Sequence, residues 1–147
     1  MKELTSMVEI DAAPPTVWAV LTDFASYGEW NPVEISMKGR AVEGTVLEHT
    51  SQLPGKKPLT FRPTIITAEP NKELAWKGKV LVPGMFDVVH RFLLEPLPKG
   101  GTRLHQRERF RGLLVPFVGS TLRETRAAFD LANAAIKRRS EELGCRD

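Results

Sequence analysis

Residues 24–32 read FASYGEWNP, with three aromatics inside seven positions. A helical pattern lies behind this stretch and a strand pattern lies ahead, so it reads as a hinge. Val17, Trp18, Val20, Leu21 and Phe24 follow helical spacing. Pro14 and Pro15 suit a first helical turn, where a missing N–H costs nothing. The spacing predicts a helix over about Pro15–Asp23 and a second short turn over Ser26–Glu29. Pro32 biases Asn31 to extended backbone, which ends the helical part. Trp30 is expected to plug the underside of the sheet where the short helices meet it.

Before the hinge, Leu4–Ile10 alternates as a first strand. After it, Val33, Ile35 and Met37 alternate with Glu34, Ser36 and Lys38 in a second. Gly44 turns the chain into a third strand, Thr45–Gln52, and Leu53–Pro58 is turn chemistry. Thr60–Ala68 reads as a fourth strand, with Pro63 marking an edge or a bulge. Leu74–Val80 is a fifth. Phe86–Glu95 and Thr102–Phe110 form a hairpin across Pro98-Lys99-Gly100-Gly101. An apolar connection, residues 112–119, leads to a helix over about Thr121–Leu143. Thr121 and Glu124 make a capping box. Leu122, Phe129, Ile136 and Leu143 recur every seven residues, with Thr125 and Ala132 between them, and give one apolar stripe.

The order is strand, two short helices, six strands, long helix. Successive strands on short turns form an antiparallel meander. A sheet of about seven strands curls to cover one amphipathic helix, and a curled sheet gripping a helix leaves a hollow. The expected fold class is α+β, as one domain over residues 1–147.

Composition sets outer limits. The chain has 147 residues, 41% hydrophobic and 27% charged, with a net charge of +3. That is an ordinary globular balance, too mildly basic to argue for nucleic acid. The single cysteine, Cys145, has no partner, which points to a reducing compartment. The first ten residues lack the apolar run of a signal peptide, and no apolar stretch reaches membrane-spanning length. A cytoplasmic location and no stable membrane insertion are therefore expected.

Several residues fall at particular places in this order. They are Ala13-Pro14-Pro15 with Val17-Trp18 and Leu21-Thr22-Asp23, then Tyr27 with Trp30-Asn31-Pro32. Leu74–Gly78, Phe86-Asp87, His90-Arg91-Phe92 and Gly101-Thr102-Arg103 with Gln106 and Phe110 continue the set. In these the chain resembles the START-like (SRPBCC) superfamily of polyketide cyclase/dehydratase-like and birch-pollen-allergen-like proteins. The resemblance covers nearly the whole chain and implies the helix-grip fold. It also implies binding of a lipid, fatty acid or polyketide-like molecule, with catalysis in a minority of members.

Period-two geometry places the candidate site. Phe86, Val88, His90, Phe92 and Leu94 share one face of the sixth strand. Leu104, Gln106, Glu108 and Phe110 share one face of the seventh, opposed to Arg103, His105, Arg107 and Arg109. The basic set is a solvated outer stripe. The inner wall is then apolar except for His90, Gln106 and Glu108, which fall near one another across the pair. Such a trio orients a ligand, performs acid/base chemistry through His90 and Glu108, or satisfies itself in a core, with Glu108 at the strand end facing water as a further alternative. Trp76, Leu74, Val80, Phe61 and Ile65 are expected to face inward, while His49 is ambiguous. From the long helix, Thr125, Phe129, Ala132 and Asn133 look down on the sheet. The expected ligand-binding set is thus His90, Gln106, Glu108, Trp76, Phe61, Phe86, Phe92, Leu104, Phe110, Thr125, Phe129 and Asn133.

Residues 81–85 and the apolar connection are candidates for the mouth. The connection closes over the pocket, packs in a homodimer, or touches a membrane, in that order of preference. His49, His90 and His105 are scattered, and no His or Cys pair has metal-ligand spacing, so neither metal nor cofactor is expected. Three functions remain open: a small-molecule binder, a cyclase/dehydratase-type enzyme with His90 as general acid or base, and a partner-protein module like the START-like co-chaperones.

Overall fold

The computed structural model describes residues 2–80, 84, 86–113 and 119–144, with 79, 80, 86 and 119–122 by backbone alone. β1 (Lys2–Ile10) leads into α1 (Pro14–Thr22), a 3-10 turn at Phe24–Ser26 and α2 (Tyr27–Trp30). Then come β2 (Glu34–Lys38), β3 (Glu48–Ser51), β4 (Leu59–Phe61), β5 (Thr64–Glu69), β6 (Glu73–Val80), β7 (Phe86–Pro96), β8 (Thr102–Arg111) and α3 (Gly119–Gly144). This is the helix-grip fold, α+β, with a long C-terminal helix on an antiparallel sheet.

Two hydrogen-bonded sheets, ordered β1-β8-β7-β6-β5 and β2-β3-β4, form the curved surface. β1 therefore pairs with the last strand, Lys2 opposite Phe110 through Ile10 opposite Thr102. The expected fourth strand is two. Pro63 cannot donate to a ladder, and the chain breaks there into β4 and β5. The expected third strand is shortened for a related reason. Its first part pairs with β5 instead: Leu47 N–H donates to the Pro63 carbonyl at 2.8 Å, and Ile65 N–H to the Thr45 carbonyl at 2.9 Å. These bonds join the small sheet to the edge of the large one.

At the hinge it is Tyr27, not Trp30, that fills the interior. The Tyr27 side chain is buried, its hydroxyl donates to the Leu21 carbonyl, and its ring meets Phe24 and Trp30 edge-on at 5.6 and 5.3 Å. Trp30 is half-buried. Asn31 explains the rest of the motif. Its buried Oδ1 accepts from Val33 N–H and Glu34 N–H, both at 2.9 Å, and so starts β2.

α3 packs against β1 and α1. Its stripe is buried at Ala128, Phe129, Ala132, Ala135 and Ile136. The expected cap at Thr121 and the side chain of Leu122 lie outside the described residues, as does Cys145. The β7–β8 turn brings Gly101 under β1, where a Cβ would stand 2.8 Å from the Ile10 carbonyl oxygen. Glycine is required there because the neighbour is backbone and cannot yield.

Candidate functional site

A cavity of about 480 Å³ lies between the curved sheet and α3. Its size is that of small-molecule pockets, and its surface is mainly apolar. Antiparallel register builds its polar corner. His90 on β7 stands opposite Glu108 on β8, Phe92 opposite Gln106, and Trp76 on β6 opposite His90. The His90 Nε2 lies 2.9 Å from Gln106 Oε1. An amide oxygen can only accept, so Nε2 carries the proton. Gln106 Nε2 donates to Asn133 Oδ1 at 2.6 Å, and Asn133 Nδ2 donates to Ser6 Oγ at 2.9 Å. Each link in this line joins one donor to one acceptor. The other imidazole nitrogen, Nδ1, faces Glu108 Oε2 at 3.6 Å. Phe92 stacks under the His90 ring at 4.6 Å, and Phe129 tilts over it at 5.4 Å.

A second acid–histidine pair faces the same cavity. Glu34 Oε2 contacts His49 Nε2. Trp76 stands between the two histidines, 5.8 Å from His49 and 5.2 Å from His90. Burial pushes Glu34 up to about 8. It also pushes Glu108 up to about 8, with the nearby Glu34 charge adding to the effect. The same burial lowers His49 to about 4. It lowers His90 to about 4 as well, opposed by the Gln106 hydrogen bond and reinforced by His49. At neutral pH the corner therefore holds two protonated carboxyl groups and two neutral imidazoles.

A profile of the family described as "Polyketide cyclase / dehydrase and lipid transport" matches residues 1–141. The chain belongs to this family. Its backbone is similar to a START superfamily protein from Mycobacterium smegmatis, with a TM-score of 0.73, 20% identity, and 96% of this chain and 98% of that one covered. It is also similar to the di-domain ARO/CYC protein BexL from the BE-7585A biosynthetic pathway, with a TM-score of 0.71 and 19% identity. That match covers 97% of this chain and 50% of that one, so the chain spans half of BexL's length. A third likeness is to Ara h 8.0201, with a TM-score of 0.69, 14% identity, and 99% of both chains covered. At these identities the likeness is one of fold. No match emerges among curated proteins. Family and fold together mark the chain as a hydrophobic-ligand-binding or polyketide-cyclase-like protein.

Within this family fold, the sequence-derived candidates separate into three groups. Trp76, Phe61, His90, Gln106, Glu108, Phe110, Thr125 and Phe129 line the cavity. Phe92, Leu104 and Asn133 do not. Leu104 is buried in the core, Phe92 lies beneath His90, and Asn133 stands behind Gln106. Leu74 and Ile65 are likewise buried core rather than cavity wall. The side chains of Phe86 and Val80 lie outside the described residues.

Glu34 was not legible as a site residue, since strict alternation groups it with Ser36 and Lys38. A register shift between Glu34 and Ser36 changes this. Glu34 pairs with Ser51 and Met37 with His49, so Glu34 and Met37 share the inner face although they are three apart. The same geometry resolves His49, which is buried and lines the cavity.

The exposed part of the lining lies between the β3–β4 loop and α3. Lys56, Lys57 and Leu59 stand there, and Lys56 Nζ reaches Glu124 Oε1 at 3.6 Å. Of the expected mouth segments, 81–83, 85 and 114–118 lie outside the described residues, and Leu113 is exposed. The outer basic stripe is present, with Arg107 exposed and the other three paired. Arg103 meets Glu9 and Glu95, His105 meets Glu95, and Arg109 meets Glu3. Among the described residues no cluster of three or more metal-ligating side chains occurs, and no helix is long and apolar enough to cross a membrane.

Proposed function

We propose that this protein binds a hydrophobic or amphipathic small molecule, lipid-like or polyketide-like, in the cavity between the sheet and the C-terminal helix. The observation that carries this reading is a mainly apolar cavity of about 480 Å³ into which a few buried polar groups, His90, Gln106 and Glu108 among them, project, while Lys56, Lys57 and Glu124 stand at its rim. Apolar burial supplies most of the affinity, at about 25 cal/mol per Å² removed from water. Trp76, Phe61, Phe110 and Phe129 form the apolar contact surface. His90, Gln106 and Glu108 orient the ligand's polar end. The open interior ranks this reading above a partner-protein module, which has no need of a cavity. Mass spectrometry under non-denaturing conditions, with extraction of bound material, tests it. A stoichiometric apolar compound supports it. A protein that purifies empty and takes up no apolar dye contradicts it.

A second reading, a cyclase/dehydratase-type enzyme, is favoured by one feature. The His90 Nδ1 lone pair and a proton-bearing Glu108 carboxyl face the same space, 3.6 Å apart. His90 would take an α-proton from a ketone while Glu108 protonates the enolate oxygen. Deuterium exchange into a β-diketone, lost in His90→Gln, tests this.

A further inference from the structure

Glu34 and Glu108 face the cavity with no guanidinium or ammonium group against them among the described residues. Their side chains are 12% and 15% exposed, and the groups that meet them are His49 and His90. Buried carboxylates are ordinarily matched by Arg or Lys, because an unpaired buried charge is costly. Here β7 and β8 turn their arginines outward, to Glu73, Glu95, Glu9 and Glu3. The cavity-lining segment of α3 contributes Thr125, Ala128, Phe129 and Ala132, with Glu124 at the rim. Lys56 and Lys57 also stand at the rim, both exposed, and Lys56 is engaged by Glu124. The inner wall thus offers two carboxyl groups, two imidazoles that burial keeps neutral, and the ring faces of Trp76, Phe61 and Phe129.

We infer that the ligand of this cavity is an apolar molecule carrying a basic nitrogen, held by Glu34 and Glu108 with aromatic rings around it. This rests on the small-molecule-binding reading above and narrows its ligand class. This corner is uncharged at neutral pH because burial keeps both carboxyl groups protonated. An entering alkylammonium ion supplies the missing cation. One carboxyl group then ionises against it and its proton leaves to solvent, so the buried pair stays neutral overall. Ring faces add cation–π attraction, worth about 0.5–2 kcal/mol. An anionic head would instead lie beside two carboxyl groups with no buried cation to balance it.

Isothermal titration at pH 7.5 with decylamine, 1-decanol and decanoate tests the inference on the intact chain. Decylamine is expected to bind at least tenfold more tightly than decanol, and decanoate more weakly than decanol. Titration in two buffers of different protonation enthalpy is expected to show roughly half a proton released per amine bound, because two carboxyl groups at about 8 are already partly ionised at pH 7.5. In Glu34→Gln/Glu108→Gln, checked for folding by thermal melting, the amine's advantage over decanol falls below threefold and proton release disappears. Decanoate binding as tightly as decylamine overturns the inference. So does an amine advantage that survives in the double variant. Decanol binding without amine preference overturns this inference and leaves the small-molecule reading standing. Failure of all three probes to bind overturns both.

Discussion

His90 donates from Nε2 to Gln106 Oε1 at 2.9 Å, and Gln106 in turn donates to Asn133. This places the imidazole proton on the side away from Glu108 and leaves Nδ1 as the acceptor facing the carboxyl group. Gln106 is 1% exposed, so water cannot replace a missing partner. Gln106→Leu is expected to cost about 2–4 kcal/mol, from orphaning His90 Nε2 and Asn133 Oδ1 together. Adding Asn133→Leu should recover part of that loss, since one of the two orphans is removed. Urea unfolding of the two single variants and the double variant checks this, and ¹⁵N shifts of His90 report the tautomer.

The four buried groups at the site make stability depend on pH in a specific way. Glu34 and Glu108 rise from 4.5 to about 8, so between those values the folded state holds protons that the unfolded state has lost. That favours unfolding as pH rises. His49 and His90 fall from 6.5 to about 4, so between those values the unfolded state holds the extra protons, with the opposite slope. Two against two, the slopes oppose each other from 4.5 to 6.5. Above 6.5 the carboxyl groups act alone. The ligand-free protein is therefore expected to lose about 2–4 kcal/mol between pH 6.5 and 8.5. Urea midpoints across this range check it, and Glu34→Gln should remove about half of the loss.

Asn31→Ala is expected to cost about 1–3 kcal/mol, because both backbone donors that Oδ1 accepts, Val33 N–H and Glu34 N–H, lose their partner. The same change should loosen Glu34 and broaden the His49 ring signals in an NMR spectrum. Asn31→Asp keeps the acceptor and should restore most of the stability.

Gly101→Ala is expected to cost about 1–3 kcal/mol, since its Cβ would lie 2.8 Å from the Ile10 carbonyl oxygen and push the β7–β8 turn away from β1. Hydrogen exchange should rise at the Ile10 end of the β1–β8 ladder and remain slow at β6.

Much of this architecture was readable because its signals are local. The period-two pattern on β7 and β8 puts His90, Gln106 and Glu108 on one face, and a hairpin register follows from a short turn, so their meeting was predictable. Pro63 marked a break but could not say that the chain would change sheets there. Glu34 was hidden because a bulge shifts parity by one residue, and alternation carries no sign of a bulge. Tyr27 rather than Trp30 is the deeper aromatic at the hinge for a similar reason: spacing puts both there, while burial depth is decided by tertiary packing. Phe92 and Leu104 lie on the correct face yet beneath the cavity floor, because facing inward does not say where the hollow begins.

The proposed function requires the ligand to sit in the space between sheet and helix. Ala128 is buried on α3 and lines that space. Titrating an environment-sensitive apolar dye into the wild-type protein and into a folded Ala128→Trp variant, whose indole would occupy the cavity, tests this directly. Saturable binding to the wild type that weakens at least tenfold in the variant, with the melting temperature within a few degrees, is the predicted result. Equal binding by the two proteins would contradict it, because the dye would then be held somewhere other than beneath α3.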